Sequence, residues 1–199
     1  MTPFEKYFVD VIEFFEEHGN AVMVHGSTLL NIVRGEGVGP RQHLRSDREI
    51  NLYILAEDMN DDLFHRMRDK HLYFHRVVDN GDTMVGLFYS KDGKGMHPQN
   101  HWSLDPGFVL LTLLWQGKTT RYKRHNHRDC VLIPEKFVND KSEWSNIDIL
   151  GKRIKGPAHM GEYLDYYYGD WWQEDVHWHW SRSPHYLTYD ELKKRGEVC

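Results

Sequence analysis

Asp47, Glu49 and Asn51 recur at two-residue intervals in the stretch Asp47-Arg48-Glu49-Ile50-Asn51-Leu52-Tyr53-Ile54. Successive side chains of a strand point to opposite faces, so these three share one face while Ile50 and Leu52 turn to the core. Two carboxylates and an amide oxygen form a set of hard donors suited to Mg2+ or Mn2+. Upstream, His25-Gly26-Ser27 ends a short apolar run and opens a helical pattern. Glycine lets the backbone approach a ligand closely, the free N–H groups of a helix start favour phosphate, and Ser27 adds a hydroxyl. Together the two segments fit metal-assisted transfer of a phosphate-bearing group. The turn would cradle phosphate, and a cation would neutralise charge as it develops. Each feature alone has a plainer reading: Gly-Ser before a helix is a cap, and alternating carboxylates line a solvated strand face.

The elements that must position these residues can be read from periodicity. Thr2, Pro3 and Glu5 sign the start of a first helix, with a capping box. Phe4, Phe8, Val11, Ile12 and Phe15 follow on one face, and Gly19-Asn20 stops it. Ala21 to Val24 reads as a short buried strand. A second helix from Ser27 buries Leu29, Leu30 and Val33 and ends at Arg34-Gly35. A Gly/Arg-rich loop, residues 36–46, leads into a half-buried strand from Asp47 to Ile54. A third helix over about Asn60 to Lys70 carries Leu63, Phe64 and Met67. Strands follow at Leu72 to Val78, Thr83 to Tyr89, Phe108 to Trp115 and Thr119 to Lys123, punctuated by Asp79-Asn80-Gly81, Lys91-Asp92-Gly93 and Gln116-Gly117-Lys118. This order gives an α+β fold with a mixed sheet. Beyond Ile133-Pro134 the pattern gives loops and one short helix, Met160 to Tyr168, closed by Gly169.

Composition bounds the function classes. The 199 residues are 40% hydrophobic and 28% charged, which fits one globular core with or without a C-terminal appendage. A net charge of −5 argues against a general nucleic-acid binder. Cys130 and Cys199 are too few for a disulfide framework or a cysteine zinc site, and they fit a reducing compartment. The start of the chain lacks a basic leader with an apolar core, and the run Phe108 to Trp115 is too short to span a bilayer. A cytoplasmic protein with no transmembrane segment is the expectation.

Further residues carry competing readings. Arg34, Arg41, Arg45 and Arg48 gather around the presumed site and suit a diphosphate clamp or a solvated loop, with Arg34 favoured because it follows the phosphate turn. His125, His127, His177, His179 and His185 raise a zinc-stabilised module, although no set of four has the usual spacing. The Tyr/Trp block from Tyr163 to Trp180 reads as packing for the C-terminal segment, or as an aromatic wall for a sugar or a choline headgroup.

Taken in order, Gly26-Ser27-Thr28-Leu29-Leu30, Val33-Arg34-Gly35, Gly37-Val38-Gly39-Pro40 and Ser46-Asp47-Arg48-Glu49-Ile50-Asn51-Leu52 resemble the LicD/fukutin family signature G-T-L-L-G-x-x-R-x-x-G-F-I-P-W-D-D-D-I-D-I. Leu132-Ile133-Pro134 and Tyr163-Leu164-Asp165-Tyr166-Tyr167-Tyr168-Gly169-Asp170-Trp171 are similar to later family segments, the second to Y-L-x-x-x-Y-G-D-Y/W. The resemblance implies a nucleotidyltransferase-like mixed sheet flanked by helices. Residues 1–133 would form the core, and residues 134–199 an aromatic-rich C-terminal extension packing on it. It also implies transfer of phosphocholine or a polyol phosphate from a CDP-linked donor to a carbohydrate hydroxyl. Carried over by position, Asp47, Glu49 and Asn51 would hold Mg2+ or Mn2+, and Gly26, Ser27 and Arg34 would bind the donor. Asp105, in Ser103-Leu104-Asp105, would join Asp47 and Glu49 as third carboxylate or base; Asp105-Pro106-Gly107 is equally a turn signal. Arg48, Glu49 and Asn51 stand where the family has aspartates. Neutral Asn51 removes a negative charge and weakens cation binding, which opens the alternative of a catalytically inactive binding module on the same fold.

Overall fold

The computed structural model describes residues 1–38, 49–69, 72–79, 82–89, 108–124, 129–172 and 185–198. Helix α1 (Pro3–Glu17) begins as its sequence signs it. The Thr2 hydroxyl accepts from the Glu5 N–H at 3.2 Å, and the Glu5 carboxylate accepts from the Thr2 N–H at 2.6 Å. Both arms of the capping box therefore satisfy N–H groups that a helix start leaves open. Phe4, Tyr7, Phe8, Val11, Ile12, Phe14 and Phe15 are buried along its inner face.

Strand β1 (Met23–Val24) leads directly into helix α2 (Gly26–Val33). Strand β2 (Glu49–Leu55) is followed by a 3-10 turn (Ala56–Asp58) and helix α3 (Asp61–Asp69). Strands β3 (Leu72–Asp79), β4 (Asp82–Tyr89), β5 (Phe108–Gln116), β6 (Arg121–Arg124) and β7 (Asp129–Ile133) come next. The final third supplies β8 (Ser145–Ile149), β9 (Lys152–Gly156), α4 (Met160–Tyr168), β10 (Tyr186–Thr188) and α5 (Tyr189–Lys194). The strands join in the order β10-β7-β6-β5-β2-β1-β9-β8, with β4 also on β5 and β3 on β4. Pairing is parallel for β2 with β5 and for β1 with β9, and antiparallel elsewhere. The fold is α+β, a mixed sheet flanked by helices.

The segment beyond residue 134 differs from its expected loops and single helix. Strands β8 and β9 form a hairpin whose β9 extends the main sheet beside β1, with Met23 opposite Lys155. Phe137, Trp144, Ile147, Ile154, Tyr163 and Leu164 enter the same apolar core as Phe8, Phe15, Met23, Leu52 and Leu114. Residues on either side of position 134 thus share one sheet and one core. A smaller cluster of Tyr122, Cys130, Leu187 and Leu192 lies under α5 and β10. The C-terminal segment is tied back to the β5–β6 turn: the Lys118 N–H donates to the Glu197 carbonyl at 3.0 Å, and the Thr119 N–H to the Glu197 carboxylate at 2.8 Å.

One buried charge braces the sheet. Arg121, 5% exposed, donates to Glu57 at 2.5 and 2.7 Å, to Asn139 at 2.7 Å and to the Leu114 carbonyl at 3.3 Å. Bidentate pairing and the two further acceptors satisfy a guanidinium whose burial would otherwise be costly. Among the described residues, no helix is long and apolar enough to cross a membrane.

Candidate functional site

The turn between β1 and α2 is sewn to β2 through one residue. The His25 N–H donates to the Asn51 carbonyl at 3.0 Å, the Asn51 N–H donates to the Thr28 hydroxyl at 2.9 Å, and the Asn51 side-chain amide donates to the Ser27 hydroxyl at 3.1 Å. Gly26 is needed where they meet. Its φ is +59°, and a Cβ there would sit 3.3 Å from both Cβ and Cγ of Asn51. A left-handed backbone and a close neighbour both favour glycine. Gly26, Ser27 and Asn51, marked in the sequence for separate reasons, are thus in direct contact.

Burial limits what this contact can present. His25, Gly26 and Thr28 are buried, and Ser27 is half-buried, the part of the turn that reaches the surface. The N–H groups of Gly26 and Ser27 find no acceptor among the described residues, as expected for the first turn of a helix. Asn51 is 8% exposed, and its Oδ1 accepts no hydrogen bond among the described residues. The expected half-buried strand is instead buried on both faces from Ile50 to Leu55. The cause is its central place, between β1 and β5, with Tyr53 covered by the His25 ring at a centroid distance of 3.4 Å and an interplanar angle of 1°. Burial, and then the neighbouring phenols of Tyr163 and Tyr167, hold the Tyr53 hydroxyl well above its ordinary pKa. The sequence names His25, Tyr163 and Tyr167 separately but gives no sign that they pack around Tyr53, because that depends on which elements become neighbours.

Strand β5 runs parallel to β2 and begins beside it, with Glu49 opposite Phe108. The N-terminal ends of the two strands therefore form one edge, next to the turn that carries Ser27. Asp47 and Asp105 lie outside the described residues, and Glu49 is described by its backbone. Among the described residues no three His, Cys, Asp or Glu side chains gather. Arg41, Arg45, Arg48, His125, His127, His177 and His179 also fall outside. The chain matches no protein-family model and no curated protein.

Arg34, expected to clamp the donor, stands at the other end of α2 from the Ser27 turn. It caps the far end of α2, about 10 Å along the axis from Ser27. Its Nε donates to the Trp171 carbonyl at 2.8 Å, and its Nη2 donates to the same oxygen. The structure brings together Gly26, Ser27 and Asn51, and joins Arg34 instead to the turn after α4. Most of the described aromatic block is packing: Tyr163, Tyr167 and Tyr168 are buried, while Trp172 is 60% exposed. His185 stacks on Tyr166 at 3.5 Å, and burial lowers its pKa.

Proposed function

We propose that this protein transfers a phosphorylated alcohol, phosphocholine or a polyol phosphate, from a CDP-linked donor to a glycan hydroxyl on a nucleotidyltransferase-like core. One observation carries the reading. A glycine-dependent helix start is bonded to Asn51, on the strand whose N-terminal end adjoins that of a parallel neighbour. This is the arrangement needed to hold a diphosphate against oxygen donors supplied from two strand ends. The two-residue repeat of β2 puts position 49 on the face of Asn51. Asp47 and Asp105 precede the paired positions Glu49 and Phe108 and complete the proposed set.

Asn51 Oδ1 and the carboxylates of Asp47 and Glu49 are hard oxygens of the kind Mg2+ or Mn2+ takes. The cation, when bound, neutralises charge that develops on the transferred phosphoryl group. The N–H groups of Gly26 and Ser27 and the Ser27 hydroxyl hold donor phosphate. The acceptor oxygen forms a bond to the phosphorus that carries the alcohol. The bond from that phosphorus to the bridging oxygen breaks, and CMP leaves with both electrons. Asp105 takes the proton of the acceptor hydroxyl. Catalysis of this kind is mostly positioning and charge stabilisation.

The alternative, an inactive module that binds the donor without turning it over, draws on two observations. Asn51 is neutral and its amide already serves Ser27, and Arg34 is engaged by Trp171. A thermal-shift screen of CDP, CDP-choline and CDP-ribitol with and without Mg2+ tests both. At a hundredfold excess over Kd, the stabilisation is about 2.7 kcal/mol, or roughly 5–10 °C for a chain of this size. Absence of any cation-dependent shift refutes both readings. A shift with CMP release on adding acceptor supports the enzyme, and a shift with no release supports the module.

A further inference from the structure

We propose that Arg34 is a positioning residue, which holds α2 in register with β2 by gripping the backbone turn that ends α4. The proposal rests on the functional reading above, since the register it protects is that of the Ser27–Asn51 contact. Two N–H groups of one guanidinium converge on the Trp171 carbonyl. Such charge-assisted bonds are short and directional. The acceptor is itself fixed. Gly169 leaves α4 with φ +67°, its N–H donates to the Asp165 carbonyl at 2.9 Å, and the Trp171 indole N–H donates to the Asp165 carboxylate at 2.9 Å.

The opposite end of α2 leans on the same helix by a separate route. The His25 ring lies flat on Tyr53, which packs in one core with Tyr163 and Tyr167 of α4. Helix α2 is therefore braced by α4 at both ends. A helix of eight residues has little stability of its own and takes its orientation from its supports. With the Arg34 brace removed, α2 can rock about the Thr28–Asn51 bond, and the direction of the Ser27 hydroxyl and of the first N–H groups changes with it.

The test compares wild type, Arg34→Ala, Arg34→Lys and Arg34→Gln by amide hydrogen exchange without ligand and by titration with CDP in Mg2+. In Arg34→Ala the His25 and Asn51 amides are expected to exchange on the order of tenfold faster while amides of α1 keep their rates, and CDP affinity falls by a similar factor. Lysine and glutamine each keep one donor for the Trp171 carbonyl, so both recover part of the affinity and the exchange protection; they also serve should the alanine variant not fold. Unchanged CDP affinity in a folded Arg34→Ala overturns the proposal and leaves Arg34 as a brace for the fold only. Lost affinity with unchanged exchange overturns it too, in favour of direct contact between Arg34 and the donor. If wild type itself binds no CDP in Mg2+, the functional reading fails, and the exchange of the two amides still decides whether Arg34 holds the turn.

Discussion

Gly26→Ala adds one methyl group at the point where α2 meets β2. Two costs follow from the geometry. The φ of +59° is left-handed, which costs a residue with a Cβ about 1–2 kcal/mol. The new carbon lies 3.3 Å from Cβ and Cγ of Asn51, inside the roughly 3.5–4.0 Å optimum for carbon contacts. Relieving that pressure adds about 1 kcal/mol, at the low end for overpacking. The sum, about 2–3 kcal/mol, lowers Tm by roughly 4–12 °C for a chain of this size. Gly35→Ala is the matched control. Its φ is +75°, and a Cβ there would meet nothing within 4 Å, so it reports the backbone cost without the contact. Urea unfolding of both variants at equal m-value isolates the difference, and CDP titration should show binding impaired at Gly26 and unaffected at Gly35. If Gly26→Ala loses no more stability than Gly35→Ala, the turn does not press on Asn51, and the reasoning that joins these residues is wrong.

Replacing Asp47 and Glu49 together by Asn and Gln is expected to abolish the Mg2+ dependence of CDP binding, and Asn51→Asp to strengthen it, as isothermal titration at several Mg2+ concentrations would show. Glu57→Ala should lose about 2 kcal/mol in urea unfolding, less than a fully buried pair because half of this carboxylate side chain is in water. The hydrogen bond from Arg121 holds the Glu57 carboxyl below its ordinary pKa. Its contribution is therefore complete above the unfolded value and is lost as pH falls through the folded one. The stability gap between wild type and Glu57→Gln should accordingly be complete at neutral pH and close as pH falls below the ordinary carboxylate range. Thr188→Ala removes the hydroxyl that accepts from the Glu191 N–H at 3.2 Å, and should cost about 1 kcal/mol by thermal melting.

What the sequence makes legible is local. Helix α1 is signed by residues that touch one another, so Thr2, Pro3 and Glu5 suffice to start it. The closeness of Gly26, Ser27 and Asn51 is also foreshadowed, because a strand, a helix that starts directly after it and a second strand on the same sheet leave few ways to pack. The β8–β9 hairpin is hidden for two reasons. Strand β8 buries Ile147 and only partly covers Ile149, and β9 buries one isoleucine, Ile154, among Lys152, Arg153 and Lys155, so the two-residue period is faint. Its turn is Leu150-Gly151, with φ +53° and +73°, where a hairpin of this type usually advertises Asn-Gly. Helix α5 carries a full capping box from Thr188 to Glu191, a signal present in the sequence and passed over. Burial of both faces of β2, and the pairing of Arg34 with a carbonyl far along the chain, depend on which strands and turns become neighbours. Periodicity holds no trace of that.

Strand β1 is two residues long, and its outer flank is completed by β9, with Met23 opposite Lys155. A chain emerging from the ribosome must therefore display that flank, with its unpaired N–H and C=O groups, until β9 (Lys152–Gly156) has been made. Long-range parallel pairing of this kind closes slowly and leaves an open template for other chains in the meantime. Truncation anywhere before the β8–β9 hairpin should give an aggregating fragment rather than a smaller working core, because β1 then has no partner for its outer flank.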